Sequence, residues 1–163
     1  YCYRVASCVG ILSAHIFGYK NKNTLTFAKN LGIALQLTNI IRDLGEDARR
    51  GRIYIPLDEL KKLSVSEEEI ISLKNSDKIK KLVQNQVDRA IKFYSLAIKT
   101  LPAEDKKSQK IGLIMGNIYY VLLNEILKDN PEKILNQKTI LPGFRKLRIS
   151  ILTMLGFSWI KNT

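Results

Sequence analysis

Histidine, cysteine and acidic residues are scarce in this 163-residue chain, and each shortage narrows its possible functions. Zinc sites are built mainly from Cys and His. The single histidine, His15, and the two cysteines, Cys2 and Cys8, form no such cluster. Six residues apart on a helix, the cysteines face different directions, so we expect two free thiols in a reducing compartment. The chain is 45% apolar, enough to fill the core of one domain.

Long apolar runs and strand-like alternation are also missing. No window approaches the ~20 apolar residues of a membrane-spanning helix. Apolar residues instead recur at three- and four-residue spacing, which predicts helices over 2–17, 25–44, 79–101 and 111–127. Ser66 and Glu69 have capping-box spacing and predict a further helix start. Gly45 and the stretch Arg49 to Pro56 interrupt the pattern, and the latter is expected to be a loop. The fold class predicted is all-α, in a single domain.

Basic residues outnumber acidic ones by 27 to 15, giving a net charge of +12. The chain lacks zinc-finger spacing and the aromatic-interleaved strands of an RNA-binding sheet, so a nucleic-acid partner is not expected. The segment Lys138 to Lys161 is basic, apolar and without any acid, and it includes Trp159. Such a segment can rest on an anionic membrane surface, or it can be a terminal helix docked on the core.

The stretch QLTNIIRDLGEDARRGRIYIP, residues 36–56, combines acids, amides and arginines. On a continuous helix, Gln36, Asn39, Asp43 and Asp47 fall within an arc of about 80°. Apolar side chains occupy the adjacent arc, so this oxygen-rich stripe borders the buried side of the helix. Buried carboxylates need partners.

Two carboxylates and an amide are hard oxygen ligands that suit Mg²⁺ bound together with substrate phosphates. Nearby arginines can donate to the same phosphates. These are Arg42, Arg49, Arg50 and Arg52. The alternative, left open by geometry, is an exposed helix face with ordinary surface ion pairs.

The motifs YCYRVASCVG and LGIALQLTNIIRDLGEDARRGRIYIPLDEL resemble those of the squalene/phytoene synthase family, the head-to-head prenyl transferases. MGNIYYVLLNEIL resembles the next helix of that family. This resemblance implies an all-α isoprenoid-synthase helical bundle. The family also has a first aspartate-rich motif on upstream helices, which this chain lacks, so we expect residues 1–163 to be the C-terminal part of one such domain and inactive alone.

The resemblance implies a role for each matching position. Asn39, Asp43 and Asp47 would hold Mg²⁺, and Gln36, Arg42 and Tyr119 would contact substrate. Arg52, from the arginine-rich loop, is a further candidate substrate ligand. Tyr1 would lie near the reacting carbons, where its ring could steady a carbocation. For the Tyr119 and Tyr120 pair, about 100° apart, one is expected to pack in the core. The family often has an arginine after the Tyr119 helix, where this chain has Asn136, Gln137 and Lys138.

The reaction implied is condensation of two prenyl diphosphates to a cyclopropyl diphosphate. The stretch ASCVGILSAHIFGY resembles bacterial presqualene diphosphate synthases, so farnesyl diphosphate is the expected substrate, with geranylgeranyl diphosphate, as in phytoene synthase, as the alternative. NADPH would be needed only if the reaction continued to squalene. We expect a cytoplasmic protein with peripheral contact to the inner face of the membrane. A catalytically silent family subunit and a basic membrane or nucleic-acid binder are the other hypotheses.

Overall fold

The computed structural model describes residues 1–74, 76–128 and 131–160; Lys161 of the basic C-terminal segment lies outside them. A π-helical turn, Tyr3–Ser7, leads into the first of the α-helices. These are α1 Cys8–Phe17, α2 Asn23–Arg42, α3 Leu44–Arg49, α4 Leu57–Lys62, α5 Glu67–Ile71, α6 Asp77–Thr100, α7 Lys110–Lys128, α8 Pro131–Asn136 and α9 Gly143–Met154, with a 3₁₀ turn at Ala103–Asp105. Within these residues no strand is present, which confirms the all-α prediction.

Helix α2 lies at the centre of the structure, against α1, α6 and α7. Its buried residues point in several directions because it has neighbours on several sides. Helix α6 buries a single stripe at three- and four-residue spacing and turns its polar face to solvent. The hydroxyl of Tyr94, on that stripe, is 2.9 Å from Thr38 Oγ1 of α2. The contact with α6 therefore holds one side of α2 in the core, and another side of α2 is left for the site.

The close approach of α1 to α2 depends on glycine. A Cβ on Gly32 would lie 2.8 Å from the carbonyl oxygen of Ala6, and one on Gly10 would lie 2.7 Å from that of Ala28. The Ser7 hydroxyl donates across the same contact to Lys29 O at 2.9 Å. Because these positions lack bulky side chains, the surface along the α1–α2 contact leaves room for an apolar cavity.

The predicted capping box is confirmed. Ser66 Oγ accepts from the Glu69 N–H at 3.1 Å, and the Glu69 carboxylate accepts from the Ser66 N–H at 2.8 Å. The loop predicted over Arg49 to Pro56 is confirmed from Arg50 onward, with Ile55 buried against the helices, whereas Arg49 is the last residue of α3. Of the segment read as either a membrane contact or a docked helix, α9 buries Ile149 and Thr153 on the side that meets α7.

Candidate active site

The oxygen-rich stripe of Gln36, Asn39, Asp43 and Asp47 lies where α2 meets α3. Asp43, with φ −97° and ψ 5°, belongs to neither helix, so the helix predicted over 25–44 is interrupted at this residue. The hydrogen bonds nevertheless continue, since Asp43 N–H donates to Asn39 O at 2.9 Å and Asp47 N–H donates to Asp43 O at 2.8 Å. The helical hydrogen-bond pattern therefore continues through Asp43 despite its distorted backbone.

Asp43 is surrounded by cations. Arg42 donates to its carboxylate from Nε at 2.8 Å and from Nη2 at 2.6 Å, and Lys138 Nζ lies 2.8 Å from Asp43 Oδ1. Burial raises the pKa of Asp43, but the hydrogen bonds and charges of Arg42 and Lys138 outweigh it and hold the pKa below its ordinary value. The carboxylate is therefore ionised and already paired at neutral pH.

Lys138 reaches Asp43 because α8 crosses α3 at Gly45. A Cβ at Gly45 would lie only 2.0 Å from the carbonyl oxygen of Leu135, so no other residue fits there without moving α8. Arg49 Nη1 also donates to Leu135 O at 3.0 Å. Glycine at this position, which reads as a helix interruption in the sequence, is a packing requirement that positions the Lys138 segment.

Asn39 has an unused acceptor. Its Nδ2 donates to Gln36 Oε1 at 3.4 Å, whereas its Oδ1 is buried and has no hydrogen-bond partner. It is the one buried side-chain polar atom without a partner in the part of the chain that the structure describes. Such atoms are costly, and they commonly mark a missing ligand, ion or water. Asn39 Oδ1 is therefore available to a cation.

Asp47 lies on the other side of the junction. Its carboxylate makes no hydrogen bond or ion pair with any described residue. Burial, followed by the negative charges of Asp43 and Glu46, raises its pKa, and Arg50 and Arg52 act in the opposite direction. Arg52 is exposed. Unlike Asp43, this carboxylate lacks a compensating donor.

Tyr1 adjoins Asp47 and the arginine-rich loop. Its ring stacks on that of Tyr54, with centroids 5.0 Å apart and planes 28° from parallel. Burial raises the pKa of the Tyr1 hydroxyl, and Tyr54 and then the Asp47 carboxylate add to the rise. Tyr1 is 60% exposed, so its ring can meet a partner.

Two concave regions meet at Tyr119. The apolar cavity, about 330 Å³, lies between α1, α2 and α7. It is lined at one end by Gln36, Asn39 and Tyr119 and elsewhere mainly by aliphatic and aromatic side chains. The basic pocket, about 270 Å³, is lined by Arg42, Lys138, Lys146 and Tyr119, together with Ile118, Leu122, Thr139, Ile140 and Leu141. Tyr120 instead is buried against Tyr94, with ring centroids 5.3 Å apart.

The described residues contain no group of three or more His, Cys, Asp or Glu side chains arranged to hold a metal ion. The donors present are two carboxylates and an amide. That set fits Mg²⁺, which uses one or two carboxylates and completes its shell with water and substrate phosphates. Asn39 Oδ1 and the Asp47 carboxylate fit best, because described residues leave both without partners.

The structure brings Gln36, Asn39 and Tyr119 to one end of the apolar cavity. Arg42 shares the basic pocket with Tyr119 and is paired with Asp43. Arg52 lies in the loop after α3, Asp47 lies in α3 itself, and Tyr1 meets the same loop by stacking on Tyr54. Lys138 is the residue that sequence reasoning missed. The sequence held one signal for it. The arginine expected at 136–138 is absent, and Lys138 is the cation in that stretch.

A family model described as squalene/phytoene synthase matches residues 1–145. The chain is 36% identical over 160 residues to phytoene synthase of Arthrospira platensis, covering 90% of this chain and 52% of that protein. It is 46% identical over 132 residues to chloroplastic phytoene synthase 1 of Solanum lycopersicum, covering 77% and 32%. The chain thus spans about half or less of the length of these curated relatives.

Solved structures agree on the fold. A dehydrosqualene synthase crystallised in complex with ligand superposes with a TM-score of 0.78 at 24% identity, covering 95% of this chain and 54% of that one. The squalene synthase HpnC of Alicyclobacillus acidocaldarius gives 0.68 at 24% identity, covering 78% and 49%. The fold is that of the isoprenoid synthases. Together with the match over residues 1–145, this shows that the chain belongs to the squalene/phytoene synthase family, whose members are prenyltransferases.

Among the described residues, no helix combines the length and the apolar character needed to cross a bilayer.

Proposed function

We propose that the protein containing this chain catalyses the Mg²⁺-dependent head-to-head condensation of two prenyl diphosphates to a cyclopropyl diphosphate, with release of one diphosphate and one proton. The observation that carries the proposal is the junction at Tyr119 between the basic pocket and the apolar cavity. A prenyl diphosphate has the same two parts, a dianionic or trianionic head and a hydrocarbon tail. Family membership supports the same chemistry.

The cations of the basic pocket would bind the diphosphate. Arg42 offers a planar pair of donors, and Lys138 and Lys146 are point charges. As the allylic C–O bond breaks, these groups stabilise the negative charge that develops on the leaving oxygen. Mg²⁺ bound by Asn39, Asp43 and Asp47 would supply further positive charge to the same diphosphate.

The apolar cavity would hold the prenyl chain and keep water from the allylic cation. The second prenyl diphosphate attacks this cation through its double bond. Tyr119, which lines both the cavity and the pocket, would lie beside the bond that breaks. The ring of Tyr1 would steady positive charge on the reacting carbons.

This chain would supply one wall of the site within a longer domain, of which residues 1–163 are the C-terminal part. The length of its relatives supports this arrangement. So does the exposure of Val9, Leu12 and Ile16 on α1, which are 59%, 62% and 81% exposed beside the apolar cavity. Exposed apolar patches of this kind normally meet another surface. Turnover would require the rest of that domain as well as this chain.

Two prenyl lengths are candidates. Farnesyl diphosphate follows from the bacterial presqualene-like stretch in the sequence. Geranylgeranyl diphosphate is favoured by the names of the curated relatives, which are phytoene synthases. NADPH enters only if the cyclopropyl intermediate is reduced to squalene.

A peripheral membrane contact through α9 completes the proposal. The outward face of α9 and its C-cap residue carries exposed apolar side chains within an arc of about 100°. These are Phe144, Leu147, Ile151, Met154 and Leu155. Arg148 lies beside this arc and forms no ion pair with a described residue, so the face suits an anionic bilayer surface on the cytoplasmic side. Cosedimentation with phosphatidylglycerol but not phosphatidylcholine vesicles, lost in Leu147→Glu, would support this contact, and equal recovery with both lipids would refute it.

The reaction is tested by product analysis. The native protein is incubated separately with farnesyl and geranylgeranyl diphosphate, with Mg²⁺ and without NADPH. We expect a diphosphate-bearing cyclopropyl compound from one substrate, and the substrate consumed decides between the two lengths. Hydrolysis to the simple prenyl alcohol would exclude the proposed condensation. No consumption of either substrate would exclude it too and would favour the silent-subunit hypothesis.

A further inference from the structure

The apolar cavity runs along helix α2. On α2 its lining residues are Phe27, Ala28, Leu31, Gly32, Leu35, Gln36 and Asn39. They form one stripe, and at 1.5 Å per residue Phe27 lies about 18 Å along the helix axis from Asn39. Gln36 and Asn39 are at one end of this stripe, and Phe27 is at the other.

The neighbouring helices place the same two ends together. A Cβ on Gly112 of α7 would lie 3.5 Å from the Phe27 ring, and one on Gly116 would lie 3.1 Å from Leu31. Helix α7 therefore follows α2 in the same direction, with Tyr119 toward the Asn39 end. Helix α1 runs the opposite way, since Gly10 meets Ala28 and Gly32 meets Ala6. Phe17, at the end of α1, consequently lies at the Phe27 end of the cavity.

At the Phe27 end of the cavity, hydrogen bonds hold the loop that follows Phe17. Gln109, buried at 2% exposure, donates from Nε2 to the carbonyl oxygen of Gly18 at 2.9 Å, just beyond Phe17. The Asp105 carboxylate accepts from the backbone N–H groups of Lys20 and Asn21 at 2.8 and 3.0 Å. The loop after Phe17 is thereby fixed to the start of α7, so the Phe17 ring has a stable support.

We propose that Phe17 and Phe27 form the end wall that sets the longest prenyl chain this cavity accepts, and that the missing side chain of Gly112 leaves room beside Phe27. This inference rests on the proposed function, which places the diphosphate at the Asn39 end. Each added isoprene unit extends the tail toward the two rings. Removing a ring at the end wall therefore favours the longer substrate, and adding a methyl group there favours the shorter one.

Phe17 and Gly112 are the positions to change. Phe27 is 1% exposed and belongs to the core, so its truncation would disturb folding. Phe17 is only half-buried, at the last position of α1. At Gly112 a new Cβ would meet Phe27 at ordinary contact distance, and alanine suits a helix better than glycine does. The two substitutions alter the same end of the cavity in opposite senses.

The test measures dissociation constants of the native protein for unreactive thiolodiphosphate analogues of geranyl, farnesyl and geranylgeranyl diphosphate, with Mg²⁺. In Phe17→Ala we expect the ratio of affinities for the geranylgeranyl and farnesyl analogues to rise by about tenfold, the scale on which apolar pockets discriminate chain length. In Gly112→Ala the ratio should fall. Leu96→Ala, on the outer side of α6, should leave the ratio unchanged.

The outcomes separate two failures. If the unmodified protein binds none of the analogues, the proposed function is wrong. If it binds them and Gly112→Ala leaves the ratio unchanged, the end-wall inference is wrong while the proposed function stands, whether or not Phe17→Ala folds. Circular dichroism identifies a variant that has lost its helices, and a ratio that moves in the same direction in both folded variants also overturns the inference.

Discussion

Arg42 and Asp43, adjacent in sequence, form a two-pronged ion pair with N–O distances of 2.8 and 2.6 Å. Lys138 adds a contact of 2.8 Å from a segment 95 residues away. A diphosphate entering the basic pocket would compete with Asp43 for both cations. Binding of the anion and release of the Asp43 carboxylate for Mg²⁺ are therefore coupled in the proposed site.

Replacing Lys138 should weaken substrate binding. We expect Lys138→Ala to raise the KM or dissociation constant for the prenyl diphosphate about tenfold, because a charge-assisted hydrogen bond contributes ~1.5–3 kcal/mol. Lys138→Arg should retain most of the affinity. Lys62→Ala, which removes an exposed lysine paired weakly with Asp58, is the matched control. Unaltered affinity in Lys138→Ala would remove Lys138 from the site.

Gly45→Ala should separate α8 from α3. A methyl group at 2.0 Å from the Leu135 carbonyl oxygen cannot be accommodated without backbone movement, and overpacking of this kind costs ~1–3 kcal/mol. We expect a lower melting temperature and an affinity for diphosphate reduced as in Lys138→Ala. Thermal denaturation and a binding titration measure the two effects. A variant with wild-type values for both would show that the close approach does not position Lys138.

Asp105 should give stability that depends on pH. Its buried carboxylate accepts from Lys20 N–H, Asn21 N–H and the Thr24 hydroxyl, the last at 2.6 Å. Burial raises its pKa, but these hydrogen bonds outweigh burial and lower the pKa in the folded state. The stabilisation is therefore present above the unfolded pKa, about 3.9, and is lost as pH falls through the lower folded value.

Asp105→Asn tests this dependence, because the amide cannot accept at both oxygen positions. We expect its melting temperature to lie below that of the unmodified protein at pH about 7 and the difference to shrink below pH about 3.9. Thermal denaturation followed by circular dichroism across this range is the measurement, with Asp88→Asn, an exposed helix position, as control. A difference that is constant with pH would contradict the assignment.

Local patterns predicted the helices well. The spacing of apolar residues located the long helices to within a few residues, since α6 and α7 span Asp77–Thr100 and Lys110–Lys128. The Ser66–Glu69 box also formed as predicted, because a capping box involves only neighbours in sequence. The short helices α4 and α8 were not assigned as separate helices, because they depend on packing more than on a local apolar stripe. The terminal helix given as one reading of Lys138 to Lys161 is present as α9, Gly143–Met154.

The site was only partly predictable. The order of the motifs indicated Asn39, Asp43, Asp47 and Arg42, which do lie around one junction. The pairing of Asp43 with Lys138 depends on the crossing of α3 and α8, a contact between distant segments that periodicity does not reveal. The distortion at Asp43 and the unpartnered Asn39 Oδ1 likewise follow from tertiary packing.

The most direct test of the account is turnover of prenyl diphosphate by the native protein after removal of one carboxylate at a time. Asp43→Asn and Asp47→Asn should each keep the helical circular dichroism and lower turnover at least ~10²-fold at saturating Mg²⁺, since weaker stabilisation of the leaving diphosphate costs several kcal/mol in the transition state. Asp58→Asn, which removes an exposed carboxylate, should turn over at the normal rate. Near-normal turnover in both Asp43→Asn and Asp47→Asn would contradict the central claim that these carboxylates hold the metal.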